Sequence, residues 1–297
     1  MSKIQDAISK VQGSGRSSQM SGLPDAPNPV NLARHRDVGV GSLDSIELRE
    51  VRLDVVALRR QGFAVPEGDK HQVAEDLRRV KRPILRNLDL RVESANQIGN
   101  IVVVTSANAG EGKSFLCVNL ATSIASERDR SVLLVDGDLM KPHISRAFGI
   151  ENEPGLTGFL ADESVQIEDV IFRADAPGLF VLPAGPVSGF TTELLSSKRM
   201  REAFVEFSRN NPNCVVVFDS SPIRHSSSTV VLTSLASQVV VVVLAERTEQ
   251  ADLSTALEAL DETKAIGIVL NQTQSSTEEQ LYGWPDPDLG NPSSEST

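Results

Sequence analysis

The stretch Ile101-Val-Val-Val-Thr-Ser-Ala-Asn-Ala-Gly-Glu-Gly-Lys-Ser114 decides the fold. A run of β-branched residues feeds a loop of small residues, and Lys113-Ser114 opens a segment of helical character over 113–126. Ala107 stands where such loops usually carry their first glycine. Small residues let several main-chain N–H groups turn inward around a phosphate, and the helix that follows adds the partial positive charge of its N-terminus. The Lys113 ammonium can reach the outer phosphates, and the Ser114 hydroxyl can ligate Mg2+. Strand, glycine loop, Gly-Lys-Ser and helix in a single register make a phosphate-binding loop rather than a chance turn.

Outward from this loop the same texture repeats. Apolar runs occur at Val132-Leu-Leu-Val-Asp136, Leu179-Phe-Val-Leu182, Val215-Val-Val-Phe-Asp219, Val239-Val-Val-Val-Val-Leu244 and Ile266-Gly-Ile-Val-Leu-Asn271. They are nearly continuous rather than alternating, the pattern of strands covered on both faces. Helical stretches at 113–126, 197–209 and 250–264 separate most of them. Strands alternating with helices predict an α/β fold: a P-loop NTPase three-layer α/β/α architecture with a mostly parallel sheet. A helical segment precedes it, with apolar residues from Ile46 to Leu58 and a charged helical pattern over 71–87 that Pro83 is expected to end or kink.

Two carboxylate motifs sharpen the chemistry. Asp136-Gly-Asp138 ends one apolar run and Asp219-Ser-Ser-Pro222 ends another. In an open α/β sheet the ligand lies beyond the C-terminal ends of the strands. Asp136, Asp138 and Asp219 are therefore expected beside the phosphates, where acids would repel unless a divalent cation stood between. Mg2+ held by carboxylates and phosphate oxygens supplies that cation, so ATP and Mg2+ are the expected cofactors.

Bulk properties exclude several alternatives. A net charge of −11 opposes nucleic acid or an anionic bilayer as a general partner. The two cysteines, Cys117 and Cys214, have no metal-like spacing and make no disulfide framework, which points to free thiols in a reducing compartment. No stretch approaches the ~18 apolar residues of a spanning helix. The expected organisation is a disordered leader over 1–42, a helical N-terminal extension over 43–98, the P-loop domain over 99–274 and a flexible acidic tail over 275–297. The chain reads as cytoplasmic, reaching a membrane only through a partner.

The set Thr105-Ser-Ala-x-x-Gly-Glu-Gly-Lys-Ser114, Val-Leu-Leu-Val-Asp136-x-Asp138 and Val-Val-Val-Phe-Asp219-x-x-Pro222 resembles the bacterial tyrosine kinases of exopolysaccharide biosynthesis, relatives of the MinD/ParA ATPases. Pro154-Gly-Leu, Leu182-Pro-Ala-Gly185, Glu193-Leu-Leu-Ser-Ser-Lys-Arg-Met200 and Val269-Leu-Asn271 agree with it. Upstream, Ala74-Glu-Asp-Leu-Arg-Arg-Val-Lys-Arg-Pro83 resembles the exosortase-associated tyrosine autokinase subgroup. Position 108 is Asn where MinD-type loops carry an additional lysine, which favours the kinase branch.

The resemblance implies roles. Gly110, Glu111, Gly112, Lys113, Ser114 and Phe115 would form the nucleotide cradle, and Asn271 would contact adenine. Lys113 would stabilise the transferring phosphoryl. Ser114, Asp138 and Asp219 would organise Mg2+, and Asp136 or Asp138 would help deprotonate an acceptor hydroxyl, with the base unassigned between them. Glu75, Arg78 and Lys81 would form a Glu-x-x-Arg-x-x-Arg-like element touching the neighbour in a homo-oligomeric ring. The implied partner is the cytoplasmic segment of a membrane polysaccharide chain-length regulator.

An autokinase needs an acceptor, and the chain holds one tyrosine, Tyr282, in Glu278-Glu-Gln-Leu-Tyr-Gly-Trp284. The expected function is thus an ATP-dependent tyrosine autokinase. The alternatives are an ATPase switch in the same machinery without kinase activity, or a partitioning or positioning ATPase of the MinD/ParA class. Departures from the family pattern are Met140-Lys141 after the second motif, Ala109 in the loop and Ser-Ser-Pro after Asp219. Arg224, His225, Lys141 and His143 are expected to be surface residues.

Overall fold

The computed structural model describes residues 43, 46–60, 63, 71–92, 99–186 and 191–273. The leader, Tyr282 and the acidic tail lie outside the described residues. All six expected apolar runs are strands: β2 (Ile101–Ser106), β3 (Ser131–Asp136), β5 (Leu179–Leu182), β6 (Cys214–Asp219), β7 (Gln238–Leu244) and β8 (Ala265–Asn271). Two short strands join them, β1 (Arg49–Val51) and β4 (Phe172–Ala174), in the order β1-β4-β5-β3-β6-β2-β7-β8. Only the β4–β5 pair is antiparallel among the described pairings.

The sheet separates two apolar layers because successive strand residues face opposite sides. One side carries Val103, Leu133, Val135, Val216, Phe218 and Val241 against Phe204 and Phe207 of α7 (Lys198–Asn210), Leu232 of α8 (Ser227–Leu235) and Ala256 of α9 (Gln250–Glu258). The other carries Val102, Val104, Leu134, Val217 and Val242 against α3 (Lys113–Ala125) and against Leu77, Ile84 and Leu88 of α2 (His71–Val92). Short helices α1 (Val55–Arg60), α4 (His143–Ala147), α5 (Leu156–Ala161) and α6 (Thr191–Leu195) complete the layers. The expected three-layer α/β/α arrangement with a mostly parallel sheet is present.

Three expectations are corrected. The N-terminal extension is not wholly helical: Arg49–Val51 is a strand paired in parallel with β4, so this segment extends the sheet itself. Pro83 neither ends nor breaks α2, which runs through it to Val92. Proline removes one helical hydrogen bond, here to the carbonyl of Arg79. Arg79 and Pro83 are both exposed, so water can take that carbonyl while Ile84 and Leu88 hold the second half against the core. The helix expected over 250–264 stops at Glu258. A turn follows in which the Asp261 carboxylate accepts from Thr263 N–H and Oγ, a local bond that competes with helix.

Candidate active site

β2 delivers the phosphate loop at its C-terminal end, and α3 starts from it. Gly112 caps α3 with φ 97°, a left-handed conformation that costs glycine little and other residues more. A Cβ there would also lie 2.1 Å from Asn271 Nδ2, so the position has no room for one unless Asn271 moves. Asn271, at the end of β8, donates from Nδ2 to the Glu111 carbonyl at 3.0 Å. The structure thus sets Asn271 against the loop itself.

Glu111 is buried, and its carboxylate braces the loop from within. It accepts from Asn108 N–H at 2.9 Å and from Thr248 Oγ1 at 2.6 Å. Phe115 stacks on Phe63 with ring centroids 6.2 Å apart, so its side chain packs the start of α3 against the N-terminal extension.

Asp136 and Asp219 are opposite one another in the parallel pairing of β3 with β6, β6 being the neighbour of β2 and β3 the next strand beyond it. Both are buried, and burial disfavours the ionised form. Burial first, then the neighbouring Asp219 charge, pushes Asp136 up to about 8 despite two hydrogen bonds from Ser145, whose N–H and Oγ donate to Oδ2 at 2.8 and 2.7 Å. Burial also raises Asp219 to about 6, with the Ser114 hydroxyl and the Lys113 charge opposing the rise. Ser114 Oγ donates to Asp219 Oδ2 at 2.5 Å. Asp138 lies nearer the surface, and its Oδ1 accepts from Ser221 Oγ at 2.8 Å and Lys141 N–H at 3.1 Å.

The structure therefore brings together Lys113, Ser114, Asp136, Asp138 and Asp219, as the sequence predicted. Oδ1 of Asp136 is buried without a hydrogen-bond partner, which is the mark of a site shaped for something further. A divalent cation with its water shell fits that need. Among the described residues no three His, Cys, Asp or Glu side chains form a ready cage. Mg2+ on a nucleotide needs none, since it takes phosphate oxygens, waters and one or two protein oxygens. Ser114 and Asp219 offer those oxygens. When bound, Mg2+ would offset charge on the phosphates.

Other expected residues behave differently. Glu75 and Arg78 pair at 2.8 Å on the exposed face of α2. Lys81 does not join them on that face: it is buried, donating to the Ser123 carbonyl at 2.9 Å and to Glu127 at 2.5 Å. The element's third member thus ties α2 to the C-terminal end of α3, because a helix turned to bury Leu77, Ile84 and Leu88 carries position 81 inward too. Arg224 is exposed, as expected of a surface residue, and its guanidinium also bonds Asn108 Oδ1 at 2.9 Å and Asp252 at 2.5 Å. Sequence reasoning missed Ser145, Ser221, Thr248 and Asp252. Ser221 lies within the Asp219-Ser-Ser-Pro222 motif but was given no role, the other three lie in no motif, and each meets its partner only through the packing of separate strand ends.

Residues 102–283 match the CobQ/CobB/MinD/ParA nucleotide-binding domain. The chain is 36% identical over 185 residues to the tyrosine-protein kinase YwqD of Bacillus subtilis, covering 62% of this chain and 76% of that protein. It is 33% identical over 278 residues to the putative tyrosine-protein kinase EpsB of Ralstonia solanacearum, covering 90% of this chain and 35% of that longer protein. The kinase domain of the Escherichia coli tyrosine kinase ETK shares the fold, with TM-score 0.61 at 22% identity over 76% of this chain and 90% of that one.

Proposed function

The chain belongs to the CobQ/CobB/MinD/ParA nucleotide-binding family, on its bacterial tyrosine-kinase branch, and from that premise we propose an ATP-dependent tyrosine autokinase with Tyr282 as acceptor. The observation that carries it is the convergence of a phosphate loop with three strand-end carboxylates, one of which keeps a buried oxygen without a partner. In this reading the main-chain N–H groups around Gly110 and Gly112 hold the phosphates, and Lys113 stabilises the charge that develops as the γ-phosphoryl moves. The tyrosine oxygen forms the new bond to phosphorus, the bond to the ADP oxygen breaks, and the hydroxyl proton passes to Asp136 or Asp138. Positioning and electrostatics carry such a reaction, with little covalent work for the protein.

Mg2+ is assigned to Ser114, Asp138 and Asp219, and adenine to the neighbourhood of Asn271. We further assign the protein to exopolysaccharide polymerisation or export, as a cytoplasmic ring at the inner membrane docked on the cytoplasmic segment of a chain-length regulator. Glu75 and Arg78 remain the candidates for the ring contact. Among the described residues no helix is long and apolar enough to cross a membrane. The exosortase-associated subgroup rests on the Ala74–Pro83 motif in α2.

A second reading, an ATPase switch without kinase activity, draws support from the single tyrosine and from Met140-Lys141 after Asp138. Incubating purified protein with Mg·ATP and probing for phosphotyrosine separates the two. Wild type gains phosphotyrosine, while Lys113→Met and Tyr282→Phe do not. ATP hydrolysis without phosphotyrosine, with or without the partner's cytoplasmic segment, would leave the switch as the function.

A further inference from the structure

We propose that Arg224 is a positioning residue for nucleotide binding: it closes a three-residue latch that fixes the phosphate loop and neutralises an acid beside it. The proposal rests on the nucleotide-binding reading above. Arg224 sits on a 3-10 turn, Ile223–His225, at the end of the loop that begins with Asp219. Its Nη1 reaches Asn108 Oδ1 at 2.9 Å and Asp252 Oδ1 at 2.5 Å. Asn108 Nδ2 in turn donates to Asp252 Oδ2 at 2.8 Å, which closes the ring of contacts.

The three residues come from three adjoining strands. Asn108 belongs to the phosphate loop after β2, Arg224 to the segment after β6, and Asp252 to the first turn of α9 after β7. In the sheet β2 lies between β6 and β7, so the loop is gripped from both sides. The β7 side adds the bond from Thr248 to Glu111, and the β6 side includes Ser221, which holds Asp138. The latch therefore links the loop that receives phosphates to the segment that positions the carboxylates.

Charge makes the link matter to ligand binding. Glu111 and Asp252 are acids within reach of Asn108, at the edge of a loop meant for a polyanion. Arg224 and Asp252 side chains are 27% and 23% exposed, so water screens the pair only in part. Without Arg224, the Asp252 charge would stand uncompensated and Asn108 would lose its partner on that side.

Calorimetric titration of the full chain with Mg·ATP tests this. Arg224→Ala raises Kd by roughly tenfold, the effect of losing one charged hydrogen-bonding partner. Arg224→Lys, which keeps the charge but not the fork, raises it about threefold. Arg224→Ala combined with Asp252→Asn comes back to within about threefold of wild type, because the uncompensated acid is gone. In turnover assays Arg224→Ala raises KM for ATP and leaves kcat nearly unchanged, a split that general loss of fold would not give. Two results overturn the inference: wild-type Kd in both Arg224 variants, or a double variant weaker than Arg224→Ala alone. If wild type itself ignores Mg·ATP, the nucleotide-binding reading falls and the latch falls with it; if wild type binds and Arg224→Ala binds equally, only the latch is wrong.

Discussion

Asp136 keeps its carboxyl among apolar strand residues and beside a second acid, at a cost to the nucleotide-free protein. An unfolded aspartate titrates near 3.8, whereas burial and Asp219 hold folded Asp136 near 8 and burial holds Asp219 near 6. Between these values the unfolded chain has released protons that the folded chain keeps. Stability from these groups is therefore present at low pH and lost as pH rises from about 4 through 6 to 8. Asp136→Asn removes the larger contribution, and we expect its melting temperature without nucleotide to exceed wild type by roughly 4–8 °C at pH 8 and by less at pH 5.5. Thermal melts at the two pH values check this; equal shifts at both would contradict it. Gly112 gives a second expectation. Gly112→Ala weakens Mg·ATP binding by at least about tenfold, and adding Asn271→Ala restores only part, since removing the clash leaves the positive φ unrelieved. Most of these residues were legible in the sequence because each sits at a motif position. Ser145 and Arg224 were not, because what they touch is set by tertiary packing: Arg224 meets Asn108 across 116 residues of chain.

At the scale of elements, the helix before the phosphate loop is structural as well as exposed. Its buried stripe of Leu77, Ile84 and Leu88 lies on the layer that contains α3. Leu88→Ala should therefore cost about 2–5 kcal/mol in denaturant unfolding. Pro83→Ala should add stability, up to about 3 kcal/mol, because it restores a helical hydrogen bond on a face that is exposed among the described residues. A loss of stability from Pro83→Ala would show that the ring itself is packed. The long strands could be read from sequence because buried parallel strands must be almost wholly apolar. β1 and β4 escaped that reading: each has three residues, and charged Arg49, Glu50 and Arg173 interrupt the apolar signal. β4 joins the sheet by its antiparallel pairing with β5 and β1 by its parallel pairing with β4, neither of which a local pattern announces.

For the whole molecule, the chain carries a proposed catalytic face at the strand ends and one tyrosine, Tyr282, the proposed acceptor, outside the described residues. Its net charge of −11 is concentrated by a tail that carries acids and no Lys or Arg after Ser275. Each phosphate added there deepens that charge, so modification should weaken contacts between copies. The account requires that one copy phosphorylate another. Mixing two inactive variants tests this most directly: Lys113→Met keeps Tyr282 without the phosphate-loop lysine, and Tyr282→Phe keeps the site without the acceptor. After incubation with Mg·ATP, mass spectrometry should find phosphate on Tyr282 of the Lys113→Met chain. If that tyrosine stays unmodified while wild type hydrolyses ATP, the kinase account is contradicted.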